Sequence, residues 1–285
     1  MMHTITELSH LGLIHISGSG AKQFLQGQLT CNLEEVTSTQ SRMGAHCNPQ
    51  GRIISLFRLF FYHNSYYMQM PCKLVPLAIK ALQKYAVFFK VTLTDASDEL
   101  KQLGYRGNTL IQLPHIVDEQ LTTDKCIIIK LPGTTPRYQL IGNSVIPHSV
   151  KPATVNEWKA LDITTKISAI YPETSEKFLP HEIDLPTLNA VSFNKGCYTG
   201  QEIIARMQYR GKQKSRLYRA RVVTEAPLLR GNDIYITDQC CGSIVDYAQI
   251  DYNRYELLVI AQLTDAKTAS LFIDPEKRYS LEIIE

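Results

Sequence analysis

One stretch decides how the chain is interpreted: Lys195-Gly196-Cys197-Tyr198-Thr199-Gly200-Gln201-Glu202. Thr199 is followed three residues later by Glu202, which fits a capping box, so a helix is predicted to begin here. Cys197 then lies just before a helix N-terminus and two residues after Lys195. A positive helix end and an ammonium both favour thiolate over thiol, which lowers the pKa of a cysteine. The octapeptide therefore predicts a reactive Cys197 with Lys195 as the residue that tunes it.

A second interpretation of Cys197 stays open at this point. A cysteine often packs as a small buried hydrophobe, and Gly196 and Gly200 would then only shape the loop. Packing is the commoner role of a cysteine, but the basic neighbour and the expected helix start bring the two interpretations of Cys197 to about equal weight. Exposure and reactivity of the thiol separate the two.

Upstream of the octapeptide, the hydrophobic pattern predicts an α+β unit over residues 1–98. Residues 53–61 and 66–70 read as a hairpin, and apolar side chains from 74 to 89 recur at helical spacing. Residues 91–94 return as a strand. A helix between strands that pair back is typical of a ferredoxin-like unit.

The rest of the chain predicts a second, weaker unit and a different C-terminal part. Strand patterns at 126–130 and 137–141 with a helix around 156–161 suggest an internal duplication over residues 99–211. After residue 211, short strands alternate with turn residues, which predicts a small β-barrel over 212–285. The predicted fold class is α+β, with two ferredoxin-like halves and a C-terminal barrel.

Composition excludes several classes of protein. The chain has 285 residues, of which 44% are hydrophobic and 20% charged, and its formal net charge is +3. No apolar run approaches the roughly 18 residues of a membrane span, and the N-terminus does not resemble a secretory signal. Seven scattered cysteines without a Cys-x-x-Cys pair predict reduced thiols in the cytoplasm and no permanently bound metal.

The octapeptide resembles the K-G-C-Y-x-G-Q-E signature of the YgfZ-type family. These are folate-binding relatives of the glycine-cleavage T-protein that support iron–sulfur enzymes, including a tRNA-thiolating one. Other segments resemble the family in the same order, so the similarity covers most of residues 10–211: Phe24 to Thr30, Ala45 to Arg52, Arg58 to Phe60, Lys84 to Phe88, Phe178 to Pro180 and Ser192 to Arg206.

The resemblance implies a T-protein-like folate-binding fold, in which two halves build a folate site and the barrel closes a ring of three parts. It implies tetrahydrofolate as the cofactor, in a cleft beside Cys197. It also implies that Trp158, the only tryptophan, stacks on a ring of the folate. Without the resemblance, Trp158 is more simply the core anchor of an amphipathic helix.

Other folate-binding candidates follow from the same resemblance. Leu11 stands where better-known members have a second pocket tryptophan, and Thr164 stands where relatives have a glutamate that grips the pterin. Glu182 is the substitute candidate for that glutamate. Tyr198 and Gln201 of the octapeptide complete the expected folate-binding set.

The comparison with T-protein weighs against one-carbon transfer. T-protein carries an Asp-Asp pair shortly after an Asn-x-x-Gly-Gly turn, and one of these carboxylates serves its chemistry. Here Asn48 to Ile54 leads into Ser55 and Leu56. Neither of these side chains exchanges a proton near neutral pH.

A basic run follows the octapeptide, and the expected anion patch consists of Arg206, Arg210, Lys212 and Lys214. Tyr209 lies within it. The run suits RNA phosphates, the carboxylate tail of a polyglutamylated folate, or simply a solvated face. The sequence leaves these three interpretations open.

The function expected from these residues is that of a folate-binding accessory protein, rather than a conventional enzyme, for iron–sulfur cluster assembly or repair. It would indirectly support tRNA methylthiolation. Its expected partners are folate and, transiently, iron–sulfur enzymes or assembly factors, with tRNA only indirect, no membrane, and the protein a monomer. The alternatives are a folate-dependent aminomethyl or methyl transferase and an RNA-binding tRNA-modification factor.

Overall fold

The structure, a computed structural model, describes residues 3–108, 113–142, 150–211, 213–236, 238–263 and 270–284. This part of the chain contains three sheets and four α-helices. The strands in chain order are β1 Thr4–Glu7, β2 Leu11–Ser17, β3 Arg42–Cys47, β4 Ile53–Tyr62, β5 Ser65–Pro71, β6 Thr92–Asp95, β7 Gln102–Arg106, β8 Gln120–Thr122, β9 Cys126–Leu131, β10 Arg137–Gly142, β11 Lys151–Pro152, β12 Arg216–Val223, β13 Asp233–Ile236, β14 Gln239–Asp251, β15 Arg254–Ala261, β16 Leu271–Phe272 and β17 Ser280–Ile283. The helices are α1 Ala21–Gln28, α2 Val75–Ala86, α3 Val155–Thr164 and α4 Gln201–Arg210.

The first sheet has the antiparallel order β3-β4-β5-β2-β6. Apart from the edge strand β3, this is the strand order of a ferredoxin-like unit, with α1 and α2 as its two helices. The β4–β5 hairpin turns at His63 and Asn64, which both have the positive φ angles that a type I′ turn requires. The predicted hairpin and the helix after it are confirmed.

The second sheet has the order β11-β1-β7-β10-β9-β8. Its centre repeats the arrangement of the first sheet, but β1, from the N-terminus of the chain, takes the position of the fourth strand and pairs antiparallel with β7. Helix α3 packs on this sheet through Trp158. The N-terminal strand therefore belongs to the second sheet, although the sequence pattern assigns residues 1–98 to the first half.

The C-terminal strands close into a barrel in the order β12-β15-β14-β13-β16-β17. Inward-facing side chains such as Val222, Ile234 and Val259 form its own core. The predicted α+β class, with two ferredoxin-like halves and a C-terminal barrel, is confirmed.

The three parts pack against one another. Gln69 of β5 donates from Nε2 to Oε1 of Gln102 in β7 at 2.8 Å, which joins the two sheets. The main hydrophobic core extends from the first sheet to Ile204 of α4 and to Val245 and Leu258 of the barrel. No helix among the described residues is long and apolar enough to cross a membrane.

Candidate functional site

A cavity lies where the two sheets and the barrel meet. Leu11, Leu56 and Phe57 contribute apolar wall from the first sheet, Gln139 comes from β10, and Asp246 comes from β14. The space that water molecules can occupy is about 80 Å³, room for roughly six waters at about 10–15 Å³ each. A heterocyclic ring system suits a space of this kind, which has apolar walls and a few polar groups.

Three polar atoms in the wall of this cavity have no hydrogen-bond partner within the described part of the chain: Gln139 Oε1, Ser168 Oγ and His10 Nδ1. Gln139 and Ser168 are buried. Burial lowers the pKa of His10 to about 4, so its imidazole is neutral at pH 7. Buried polar atoms without partners are costly, and three in one cavity wall indicate a place for a polar ligand or ordered water.

Two buried ion pairs frame the cavity. Arg58 of β4 donates from Nη1 to Asp118 Oδ1 and so connects the two halves. Arg137 of β10 donates from Nη1 to Asp162 Oδ1 of α3 at 2.7 Å. Arg58 and Asp162 line the cavity, and both are held by these partners. The pairs therefore fix the polar wall before any ligand enters.

A third ionic group joins α3 to the barrel. Asp246 Oδ1 accepts from Arg230 Nε at 2.7 Å and lies 3.7 Å from Lys159 Nζ. The guanidinium of Arg230 lies 3.9 Å from the ring centroid of Tyr171 and 4.5 Å from that of Tyr247. Lys159, Tyr171 and Asp246 all line the cavity, so the barrel contributes directly to its wall.

The octapeptide forms a loop that leads into α4, but its predicted capping box is wrong. Helix α4 begins at Gln201 after Gly200, which has a φ of 83° and no side chain to cap the helix. A Cβ on Gly200 would come within 2.6 Å of the Asn48 carbonyl oxygen, so the close approach of two loops selects glycine at this position. Thr199 Oγ1 instead donates to Gln28 Oε1 at 3.3 Å.

Lys195 holds this loop to the first half. Its Nζ donates to the carbonyl oxygens of Leu29, at 2.7 Å, and Cys31, at 2.8 Å, and lies over the ring of Tyr198. Leu29 is the C-cap of α1, where a cation is favourable. Burial lowers the pKa of Lys195 to about 8. Burial raises the pKa of Cys31 to about 11 despite the opposing charge of Lys195. The ammonium thus acts on Cys31, whereas the sequence predicted that it tunes Cys197.

The thiol of Cys197 is exposed, as are those of Cys72 and Cys240. The buried thiols are Cys31, Cys47 and Cys126, and Cys241 is intermediate. Among the described residues that line the cavity, none comes from the octapeptide. The exposed thiol and the cavity are therefore two separate features of the structure.

Of the residues expected to bind folate, Leu11 lines the cavity. Trp158 is 2% exposed and packs on Gly104, so its ring would have to move to stack on a ligand. Glu182 Oε2 accepts from the Leu179 amide at 2.9 Å within its own loop.

Tyr198 and Gln201 lie at the octapeptide, outside the cavity wall, and Tyr198 is buried beneath Lys195. Thr164, at the position of the family's glutamate, is exposed at the end of α3, and its Oγ1 donates to the Ala160 carbonyl oxygen. The carboxylates that do line the cavity are Asp162 and Asp246.

The residues of the expected anion patch are exposed where the structure describes them. Arg206, Arg210 and Lys214 are exposed, and Tyr209 is 70% exposed. Lys212 lies outside the described residues. On α4, Arg206, Tyr209 and Arg210 share one face by their spacing.

Sequence reasoning missed Lys159, Gln139 and Asp246. Lys159 directly follows Trp158, the predicted folate-stacking residue, but adjacent positions of a helix point about 100° apart. Gln139 and Asp246 come from strands whose partners are distant in sequence, and no local motif marks them. Among the described residues, no group of three or more His, Cys, Asp or Glu side chains is placed to hold a metal ion.

The chain adopts a T-protein-like fold. The chain is similar over its whole length to the crystal structure of glycine cleavage system aminomethyltransferase T from Bartonella henselae, with a TM-score of 0.74, 14% identity and 85% of that chain covered. No family profile matches the chain.

Relatives named tRNA-modifying protein YgfZ identify the family. The protein of Colwellia psychrerythraea is 33% identical in an alignment of 228 positions that covers 75% of this chain and 70% of the relative. That of Photobacterium profundum is 32% identical over 230 aligned positions, with 75% of this chain and 68% of the relative covered. That of Sodalis glossinidius is 30% identical over 251 aligned positions, with 81% of this chain and 75% of the relative covered. The chain belongs to the YgfZ family of tRNA-modifying proteins.

Proposed function

We propose that the protein binds a reduced folate in the central cavity and supports tRNA methylthiolation by assisting the assembly or repair of iron–sulfur enzymes. The observation that carries the proposal is the cavity itself, whose lining includes Gln139 Oε1, Ser168 Oγ and His10 Nδ1, three polar atoms that have no hydrogen-bond partner among the described residues. Such atoms fit the donors and acceptors of a pterin ring, and Leu11 and Phe57 offer it apolar contact.

The second part of the proposal concerns Cys197. Its exposed thiol lies outside the cavity wall and is accessible to a protein partner. Lys195 holds the loop that carries it, through two carbonyl oxygens of the first half. We therefore assign contact with the iron–sulfur client to the octapeptide and folate binding to the cavity.

Calorimetric titration with 5-formyltetrahydrofolate tests the ligand. We expect saturable binding by the wild type and weaker binding by Gln139→Leu, which removes the hydrogen-bonding atoms at similar volume. Lys84→Met, an exposed substitution on α2, is the control and should bind as the wild type does. Absence of binding at ligand concentrations far above that of the protein would exclude folate.

A complementation assay tests whether Cys197 is required to support the iron–sulfur enzyme that methylthiolates tRNA. In a host without its own copy, the wild type should restore methylthiolated tRNA, whereas Cys197→Ser should not, although it should fold and bind folate normally. Cys72→Ser, at another exposed cysteine, is the matched control and should complement. Full complementation by Cys197→Ser would remove this thiol from the function.

Folate-dependent one-carbon transfer is a less favoured function for this protein. Leu56 lines the cavity, and Ser55 is buried with an unpartnered hydroxyl within the described part of the chain, so this segment of β4 offers no carboxylate. A general base for aminomethyl chemistry needs an ionisable group at the reacting atom. Transfer activity with an aminomethyl or methyl donor would support this alternative function.

An RNA-binding role is the second candidate, and a specific surface favours it. Arg206 and Arg210 are exposed on one face of α4, with Tyr209 70% exposed between them. Cations interleaved with an exposed aromatic ring suit phosphates and bases. Direct tRNA binding by this face would add an RNA contact to the protein and is compatible with folate binding in the cavity.

A further inference from the structure

The three ionic groups in and directly behind the cavity wall together carry an excess of positive charge. Two of its ion pairs are neutral: Arg58 with Asp118, and Arg137 with Asp162. The third group places two cations, Arg230 and Lys159, around the single carboxylate of Asp246.

Arg230 is the main partner of Asp246 in this group. Its Nε lies 2.7 Å from Asp246 Oδ1, whereas Lys159 Nζ lies 3.7 Å from the same oxygen, so Lys159 shares a carboxylate that Arg230 already holds. Glu173 lies 4.0 Å from Arg230, but its side chain is 49% exposed and its charge is screened by water. His10 is neutral at pH 7, because burial lowers its pKa to about 4.

Lys159 faces the cavity in a setting that is costly for an ammonium. Its side chain is 15% exposed. Burial lowers the pKa of Lys159, and the charge of Arg230 lowers it further, whereas Asp246 and Asp162 raise it. A buried charge of this kind is stabilised by an opposite charge and complete hydrogen bonding. Within the described part of the chain, Asp246 at 3.7 Å meets this need only in part.

We propose that Lys159 binds a negatively charged or strongly electron-rich oxygen of the ligand that enters this cavity, and so fixes the ligand's orientation. For the identity of the ligand the proposal rests on the proposed function. A reduced folate offers two kinds of such oxygen: the carbonyl oxygen of its pterin ring and the carboxylate oxygens of its glutamate. The ammonium donates to either, since both are acceptors of charge-assisted hydrogen bonds.

The binding of folate fragments shows whether Lys159 contacts the pterin carbonyl oxygen or a glutamate carboxylate. The probes are 6-methyltetrahydropterin, which has no carboxylate, p-aminobenzoylglutamate, which has no pterin, and 5-formyltetrahydrofolate. Lys159→Met should weaken the binding of 5-formyltetrahydrofolate and of one fragment by about tenfold to a hundredfold, the effect of losing a hydrogen bond to a charged group. The affected fragment identifies the oxygen, and Lys84→Met should leave all three affinities unchanged.

Asp246→Asn should change the affinity for the fragment in the direction opposite to Lys159→Met. It removes the carboxylate that Lys159 and Arg230 share and that raises the pKa of Lys159. At a pH below the titration midpoint of Lys159 in this variant, the affected fragment should therefore bind more tightly than to the wild type. Circular dichroism and thermal unfolding are the checks that the barrel of this variant remains folded. Equal affinities of the wild type and Lys159→Met for 5-formyltetrahydrofolate and for both fragments would overturn the proposal.

An NMR titration with acetate tests the anion site at Lys159 independently of folate binding. Reductive ¹³C-methylation keeps the lysine charges, and the resonance lost in Lys159→Met identifies Lys159 by NMR. Acetate, compared with chloride at equal ionic strength, should raise the titration midpoint of this resonance and leave that of Lys84 unchanged. If no folate probe binds but acetate has this effect, folate is wrong and the anion site stands. If acetate has no effect and no probe binds, both fail.

Discussion

At the scale of single residues, a buried histidine sets the response of stability to acid. His46 of β3 is 1% exposed, and burial lowers its pKa from 6.5 to about 4. The unfolded chain therefore binds a proton below pH 6.5 that the folded protein refuses until about pH 4. This histidine contributes stability that is lost as the pH falls through that window, by roughly 3 kcal/mol in total.

Urea unfolding of the wild type and His46→Gln between pH 4 and 8 measures this loss. The difference in unfolding free energy between the two proteins should be constant above pH 6.5 and should shift in favour of His46→Gln as the pH falls to about 4. Carboxylate contributions cancel in the difference. A difference that is constant down to pH 4 would contradict a buried neutral His46.

The seven thiols should react in the order of their exposure. Alkylation near pH 7 followed by mass spectrometry should modify Cys72, Cys197 and Cys240 first and Cys31, Cys47 and Cys126 last, because access limits the buried group. Within the exposed group, a faster reaction of Cys197 would indicate an activated thiol. A rate equal to those of Cys72 and Cys240 would show that the octapeptide presents Cys197 without activating it.

Single residues also show why the site was only partly predictable. The family signature draws attention to Cys197, whose thiol is exposed, and its role stays a prediction. Nearness in sequence predicts that Lys195 acts on Cys197, but its ammonium donates to the carbonyl oxygens of Leu29 and Cys31, more than 160 residues away. Spacing along the chain says which residues are neighbours in a loop, but not where a long side chain points.

At the scale of secondary-structure elements, α3 depends on the contact between Trp158 and Gly104 of β7. A Cβ at position 104 would lie 2.6 Å from two atoms of the indole ring, so Gly104→Ala should destabilise the protein by about 1–3 kcal/mol through overpacking. Urea unfolding followed by the emission of Trp158, the only tryptophan, measures this change.

Gly27→Ala is the matched control for this prediction. Gly27 lies in α1, and a Cβ there would meet nothing within 4 Å. Alanine is the better helix former by about 1 kcal/mol, so this substitution should stabilise the protein. Equal effects of the two substitutions would mean that Trp158 does not pack on Gly104.

The exposed face of α4 gives a second prediction about an element. If this face contacts tRNA, Arg206→Gln with Arg210→Gln should weaken binding and lower the slope of log K against log salt by about 1 for each lost phosphate contact. Lys80→Gln with Lys84→Gln removes the same charge from the exposed face of α2 and should leave that slope unchanged. Equal losses from both double variants would indicate nonspecific attraction.

The elements themselves were largely predictable, because each carries its own hydrophobic period. Helix α2 and the β4–β5 hairpin lie where the pattern placed them. The capping box at Thr199 was wrong, since Gly200 adopts the left-handed conformation at the start of α4. A capping box does occur at α3, where Thr154 and Glu157 exchange side-chain and backbone hydrogen bonds.

At the scale of the whole molecule, pairing between strands that are distant in sequence determines the features that the sequence pattern does not predict. The four residues of β1 carry too weak a pattern to show that they complete the second sheet beside β7, whereas β2, which begins only four residues after β1 ends, belongs to the first sheet. The same long-range assembly brings Leu11, Gln139 and Asp246 to one cavity, each from a different part. The site is therefore a property of the packed ring and not of any one segment.

This architecture predicts that a ligand stabilises all three parts together. Residues of β4, β10 and β14 line one cavity, so binding of 5-formyltetrahydrofolate should slow hydrogen exchange in all three strands. For amides that exchange through global unfolding, a free ligand concentration 100 times the Kd corresponds to about 2.7 kcal/mol of added protection. Lys84→Met should retain this protection, and Lys159→Met should reduce it in the three strands alike. Protection confined to β4, with β14 exchanging as in the free protein, would mean that the barrel only packs beside the site, in contradiction to the position of Asp246 in its wall.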